Sequence, residues 1–208
     1  MKKLVLGAAI AISSLTFAQQ FGIKGGMNVS SVSSDASLQD NGSKIGFNAG
    51  VFMNAPLATN FSIQPELIYT QYGDKYSQSG QTVREGASLL TNQTVSSARH
   101  LDYVALPVMF QYNATPGFYL EAGPEFGLMV SAKNKQKNET SGNTIAESGN
   151  YKDSINGFNV GLGIGAGYYF TPNVGLTARY VAGLTDFNKD NNVKERNNAF
   201  QVGLAYKF

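Results

Sequence analysis

From residue 157 to residue 170 the chain alternates without a break. Phe158, Val160, Leu162, Ile164, Ala166, Tyr168 and Phe170 stand against Gly157, Asn159, Gly161, Gly163, Gly165 and Gly167. A period of two sorts residues onto the opposite faces of a β-strand, which a helix cannot do. One face is bulky and apolar, the other almost bare backbone, so the two faces must meet unlike surroundings.

The alternation recurs at 21–32, 44–53, 61–72, 101–112, 118–131, 174–184 and 199–208. Each segment is about ten residues or slightly more, the length a tilted strand needs to cross a bilayer. The links alternate too. Long polar ones at 33–43, 73–99, 133–154 and 186–197 follow the odd-numbered segments, whereas short turns at 54–60, 113–117 and 171–173, each with a proline, follow the even-numbered ones. This predicts an all-β, eight-stranded antiparallel up-and-down barrel with long loops at one end and both mature chain ends at the other.

Alternation alone also fits a soluble barrel closed around a ligand. Three features turn the apolar face outward, to lipid. The polar face is small, which absorbs much of the 23-residue glycine content. It also carries Lys24, Arg179 and Lys207 against Glu66, Glu121 and Glu125, a balanced charge network suited to a lumen. Finally, Phe21, Phe61, Tyr112, Phe118, Tyr168, Phe170, Tyr206 and Phe208 gather at the short-turn ends, where an interfacial aromatic girdle belongs.

Composition agrees. Charged residues are 14% of the chain, against roughly 25% in an average soluble protein; a lipid-facing wall cannot carry charge. The formal charge of +2 belongs to the N-terminus. Lys2 and Lys3, an apolar run over 4–17 and a Thr16-Phe17-Ala18 end read as a cleaved secretory signal peptide over 1–18. The barrel domain is then 19–208, with acidic and basic residues equal in number, and a nucleic-acid partner has no electrostatic motive.

Candidate chemistry is sparse. The chain has no cysteine and one histidine, which disfavours thiolate or imidazole metal sites. Gly161-x-Gly163-x-Gly165-x-Gly167 lacks the strand-turn-helix context of a nucleotide loop. Asp186-x-Asn188-x-Asp190 copies the first half of a calcium loop, but Asn191 and Asn197 replace the glycine and the bidentate glutamate. A solvated loop is the default there. His100 and Asp102 could orient a base, yet Ser96 and Ser97 sit on an expected loop in no nucleophile motif. Glu121 and Glu125 are about 13 Å apart on a strand, too far for a glycosidase pair. The expectation is no enzyme, no cofactor and no metal.

The C-terminal Phe200-x-Val202-x-Leu204-x-Tyr206-x-Phe208 is similar to the strand signal read by the outer-membrane assembly machinery. The stretches FGIKGGMNVSSV, FSIQPELIYTQYGDK, YVALPVMFQY, FYLEAGPEFGLMVSAK and GFNVGLGIGAGYYFTPNVGLTARYVAGLTD resemble the porin-family outer-membrane barrel domain common in Bacteroidetes, distantly OmpX-like. The resemblance covers nearly all of 19–208 and tolerates Pro65 and Pro107 within strands. It implies export to the outer membrane of a Gram-negative-type envelope, with both mature termini periplasmic. The expected partners are outer-membrane lipid, the assembly machinery and an extracellular ligand at the loops. An eight-stranded bore is narrow enough to be plugged by its own side chains. The expected role is therefore structural, or surface binding through 73–99 and 133–154. A small-solute channel is the alternative, and a soluble ligand-binding barrel a distant one.

Overall fold

The computed structural model describes residues 19–34, 42–86, 88–187 and 194–208. The proposed signal peptide therefore lies outside the described residues. Among the described residues ten strands form one antiparallel sheet: β1 (Gln20–Ser34), β2 (Gly42–Ala58), β3 (Phe61–Tyr72), β4 (Asp74–Glu85), β5 (Ser88–Asn113), β6 (Phe118–Asn138), β7 (Thr144–Glu147), β8 (Phe158–Tyr169), β9 (Val174–Gly183) and β10 (Glu195–Lys207). Eight of them close a ring in the order β1-β2-β3-β5-β6-β8-β9-β10, with β10 returning to β1. Closure removes the unpaired edges that an open sheet of this size would expose. The two ends of the described barrel meet at the short-turn end, where the Phe208 amide donates to the Phe21 carbonyl at 2.9 Å.

Alternation sets the faces as the sequence implies. Ile164 on β8 is 64% exposed and Met27 on β1 58%, whereas Glu125, Asn28 and Thr70 are fully buried in the bore. Every ring strand turns its apolar row outward, and the wall is apolar all the way round. At the long-link end the bore is filled by an apolar cluster that includes Val32, Tyr72, Leu101, Tyr103, Met129 and Phe187.

Two of the expected loops are in large part sheet. β4 pairs with the first half of β5, from Lys75 opposite Ala98 to Glu85 opposite Ser88. β7 pairs with β6 at Lys135–Glu147 and Lys137–Thr144. The link over 73–99 is thus the upper half of one long hairpin whose lower half is β3 and β5. Gly73 joins the halves at φ +133°, with its α-carbon against the Arg99 carbonyl, where no side chain fits. β5 runs 26 residues and β6 21, about twice what a bilayer crossing needs. The excess stands above the rim as a four-stranded sheet, β4-β5-β6-β7. The sequence hides this sheet because Ser, Gln, Thr and Asn occupy both of its faces, so the apolar–polar contrast that marks a strand is missing.

Candidate functional site

The bore is crossed at mid-height by four charged side chains. Lys24 comes from β1, Glu66 from β3, Glu121 from β6 and Arg179 from β9, which is every second strand of the ring. Side chains from alternate strands make one layer of a small barrel. Arg179 and Glu66 start on opposite walls and meet as a bidentate pair, Nη1–Oε2 3.0 Å and Nη2–Oε1 2.7 Å. Arg179 Nε donates to Glu121 Oε1 at 2.7 Å, and Lys24 Nζ lies 3.1 and 3.0 Å from the two Glu66 oxygens. Gln64 and Gln111 add donors to Glu66 and Glu121 at 2.9 and 3.1 Å. Two cations against two anions leave the layer neutral, as burial requires.

The glycine run of β8 makes room for this layer. A β-carbon on Gly163 would fall 2.7 Å from Met109 Cε and 3.4 Å from Arg179 Cδ. One on Gly165 would fall 3.1 Å from Glu121 Oε1, and one on Gly167 would collide with the Tyr119 ring. The bare face of the strand is filled by its neighbours' side chains.

Glu125 and Lys207 stand apart from these four. Glu125 is two inward positions up β6 from Glu121, beyond the arm of Arg179. It accepts from Tyr72 Oη at 2.6 Å, with its other oxygen unpartnered, and Gln201 donates to the same Tyr72 oxygen at 3.1 Å. Lys207 is at the short-turn mouth, its ammonium 3.9 Å from the centre of the Tyr169 ring. The six charges expected as one network therefore divide into a four-residue layer and two separate groups.

A second ionic assembly closes the long-link mouth, and the sequence reading missed it. Arg99 donates to both Asp74 oxygens at 2.7 and 2.8 Å and to both Glu195 oxygens at 2.9 and 3.0 Å. Its guanidinium also lies 5.6 Å from the Phe187 ring centre. Burial opposes the charge on Arg99, but the hydrogen bonds and charge of Asp74, with those of Glu195, raise its pKa above the ordinary value. Asp74 and Arg99 stand at the two ends of the 73–99 link and Glu195 on the 186–197 link, so no local spacing announces them.

The aromatic residues are outward at the short-turn end. Phe61 and Tyr112 are cross-strand partners with ring centres 5.2 Å apart, Phe118 lies opposite Tyr168, and Tyr206 packs on Phe208 at 5.8 Å. Phe21 and Phe170 are exposed beside them. Phe200, Val202, Leu204 and Tyr206 form the outward row of β10, the strand that closes the ring on β1, and Phe208, also exposed, follows directly after it.

Among the described residues no catalytic constellation assembles around His100. Ser96 and Ser97 lie on β5 instead of a loop, and Ser97 Oγ donates to Asn134 at 2.9 Å, away from the histidine. His100 faces Lys133, and Asp102 keeps one buried oxygen without a partner. Of the calcium candidates, Asn188 and Asp190 lie outside the described residues. Asp186 accepts the Glu195 amide at 2.9 Å. Among the described residues there is no cluster of three metal-ligating side chains.

A family model described as outer membrane protein beta-barrel domain matches residues 17–189. No curated protein matches the chain. Solved structures similar to it include Neisserial surface protein A, at 19% identity over 92% of this chain and 99% of that one, TM-score 0.49. Ail, the attachment invasion locus protein of Yersinia pestis, in complex with the heparin analogue sucrose octasulfate, is 15% identical over 92% and 100%, TM-score 0.46. OprG of Pseudomonas aeruginosa is 12% identical over 92% and 96%, TM-score 0.40.

Proposed function

Since the chain belongs to the outer membrane protein beta-barrel domain family, we propose that it is a plugged outer-membrane pillar whose raised sheet is a binding surface. The observation that carries this reading is the reach of Arg179 to Glu66 across the bore. A side chain anchored at both walls leaves the axis blocked, and the Arg99 clamp supports a second closure above it. With the bore closed, what distinguishes this barrel from a bare pore is β4-β5-β6-β7. That sheet is polar, ordered by cross-strand pairing and open along the edge of β7 and along β4 beyond its pairing with β2 at Asp74 and Lys75.

In this reading the long-link end faces outward and both mature termini are periplasmic. The aromatic residues at the short-turn end sit at the inner interface of the membrane, and the β10 row serves assembly. The protein catalyses nothing and needs no cofactor.

An epitope inserted after Gly86, at the hairpin tip, tests the orientation. Antibody is expected to reach it on intact cells. Labelling only after permeabilisation would overturn the outward placement. The binding role is tested with purified barrel on a panel of extracellular polysaccharides and matrix proteins. At least one is expected to be retained by the full chain and lost when 76–97 is replaced by a short turn. Equal behaviour of the two forms across the panel would reject the role.

A further inference from the structure

On the outer wall, one strand passes abruptly from apolar to basic. The outward row of β6 runs Phe126, Leu128 and Val130, then continues past a register shift as Lys133, Lys135 and Lys137. From Phe118 to Val130 is twelve residue steps. That is about 40 Å of strand and about 30 Å of height at the usual tilt, enough to cover the hydrocarbon. The lysines therefore begin where lipid headgroups begin.

Neighbouring strands complete a basin. Lys133 lies opposite His100, Lys135 opposite Ala98 and Lys137 opposite Ser96, while Lys75 on β4 flanks Ala98 from the other side. Small Ala98 and Ser96 form the floor and Lys75, Lys135 and Lys137, with His100 and Glu139, the rim of a depression of about 400 Å³, and Lys133 lies next to it across from His100. Three carboxylates border it. Asp102 lies on its membrane side, opposite Gln71. Glu139 pairs with Lys75 at 2.7 Å and Glu147 with Lys135 at 3.6 Å, both pairs substantially exposed. Exposed pairs contribute little, so an incoming anion displaces them at small cost. Lys133 and Lys137 make no ion pair among the described residues.

We propose that this basin binds the phosphate of an anionic lipid in the leaflet at the long-link end of the barrel. Lys133, Lys135 and Lys137, spaced two residues apart, provide the charge, and Lys75 closes the far side. The apolar row directly below supplies the wall for the same lipid's chains. This site rests on the membrane reading of the barrel and not on which way up the barrel stands.

The test uses the full mature chain refolded in neutral detergent, with heat-modifiable gel mobility confirming the fold of every variant. Native mass spectrometry then counts bound diphosphoryl lipid A. Wild type is expected to retain it. The Lys133→Gln/Lys135→Gln/Lys137→Gln variant should bind at least tenfold more weakly, and Lys137→Gln alone measurably so. The corresponding triple Arg variant should bind like wild type. Retention should fall as salt is raised. Equal binding by the Gln variants, or by lipid A stripped of phosphate, overturns the proposal. Displacement by equimolar inorganic phosphate overturns the lipid assignment in favour of a free-anion site. Failure of the chain to give a heat-modifiable band would instead strike the membrane barrel itself.

Discussion

Arg179 on β9 and Glu66 on β3 stand on opposite walls of the barrel, and their side chains join as a bidentate pair at 3.0 and 2.7 Å. Neither residue is replaceable alone. Arg179→Leu leaves Glu121 without its ion-pair partner and Glu66 with Lys24 alone. It is expected to cost about 3–5 kcal/mol, the usual penalty for breaking a buried ion pair. Urea unfolding of the refolded barrel measures it. Arg179→Leu combined with Glu121→Gln should cost less than Arg179→Leu, because the orphaned charge is gone.

The β8 glycines carry a second prediction. Gly165→Val places a β-carbon 2.5 Å from the Ala178 carbonyl and 3.1 Å from Glu121 Oε1. Backbone cannot yield as a side chain can, so a loss of about 1–3 kcal/mol or more is expected. Gly149→Ala, where a β-carbon meets nothing within 4 Å, should be close to neutral. Parallel unfolding curves of the two variants check this.

Acid should loosen the raised sheet before the barrel. Glu85 accepts from Ser141 at 2.6 Å, Asn143 at 2.9 Å and Asn138 at 2.7 Å, tying the β4–β5 tip to the turn after β6. These hydrogen bonds, Ser141's first, hold its carboxyl below the usual carboxylate range. A depressed folded pKa means the tie is intact at neutral pH and is lost as pH falls through that lowered value. Amide hydrogen exchange over 138–143 should quicken on acidification while ring strands stay protected. Uniform exchange across both regions would contradict the assignment.

Arg99→Ala should open the long-link mouth. It removes four charged hydrogen bonds to Asp74 and Glu195 and the contact with Phe187. Faster exchange is expected at the Phe187 and Glu195 amides, which are hydrogen-bonded to the Glu195 carbonyl and Asp186. The midpoint of barrel unfolding should move less than for Arg179→Leu.

The ring was legible from the sequence because its two faces differ in chemistry at every second residue, as in Phe158–Tyr169. Sidedness followed from the same contrast, and Arg179 and Glu66 were recognisable as charges on the inner face. What alternation cannot carry is depth. Glu121 and Glu125 share a face and a residue type, yet one reaches Arg179 and the other meets Tyr72, because bore height and the length of the opposing arm decide. Nor can alternation reveal a strand polar on both sides, which is why β4 and the start of β5 read as a loop. The Arg99 clamp was hidden for a third reason: its partners lie 25 residues away at the other end of the same link and 96 residues away on another, with no shared period.

The central claim is that side chains close the bore, and single-channel recording of the refolded chain in planar bilayers tests it most directly. The wild-type barrel is expected to be electrically silent at moderate voltage, and small, discrete openings are expected when Arg179→Ala, which vacates space beside Gly163 and Gly165, is combined with Arg99→Ala, which releases the mouth above it. Steady conductance of the wild type at the level of a general porin, unchanged in the double variant, would contradict it.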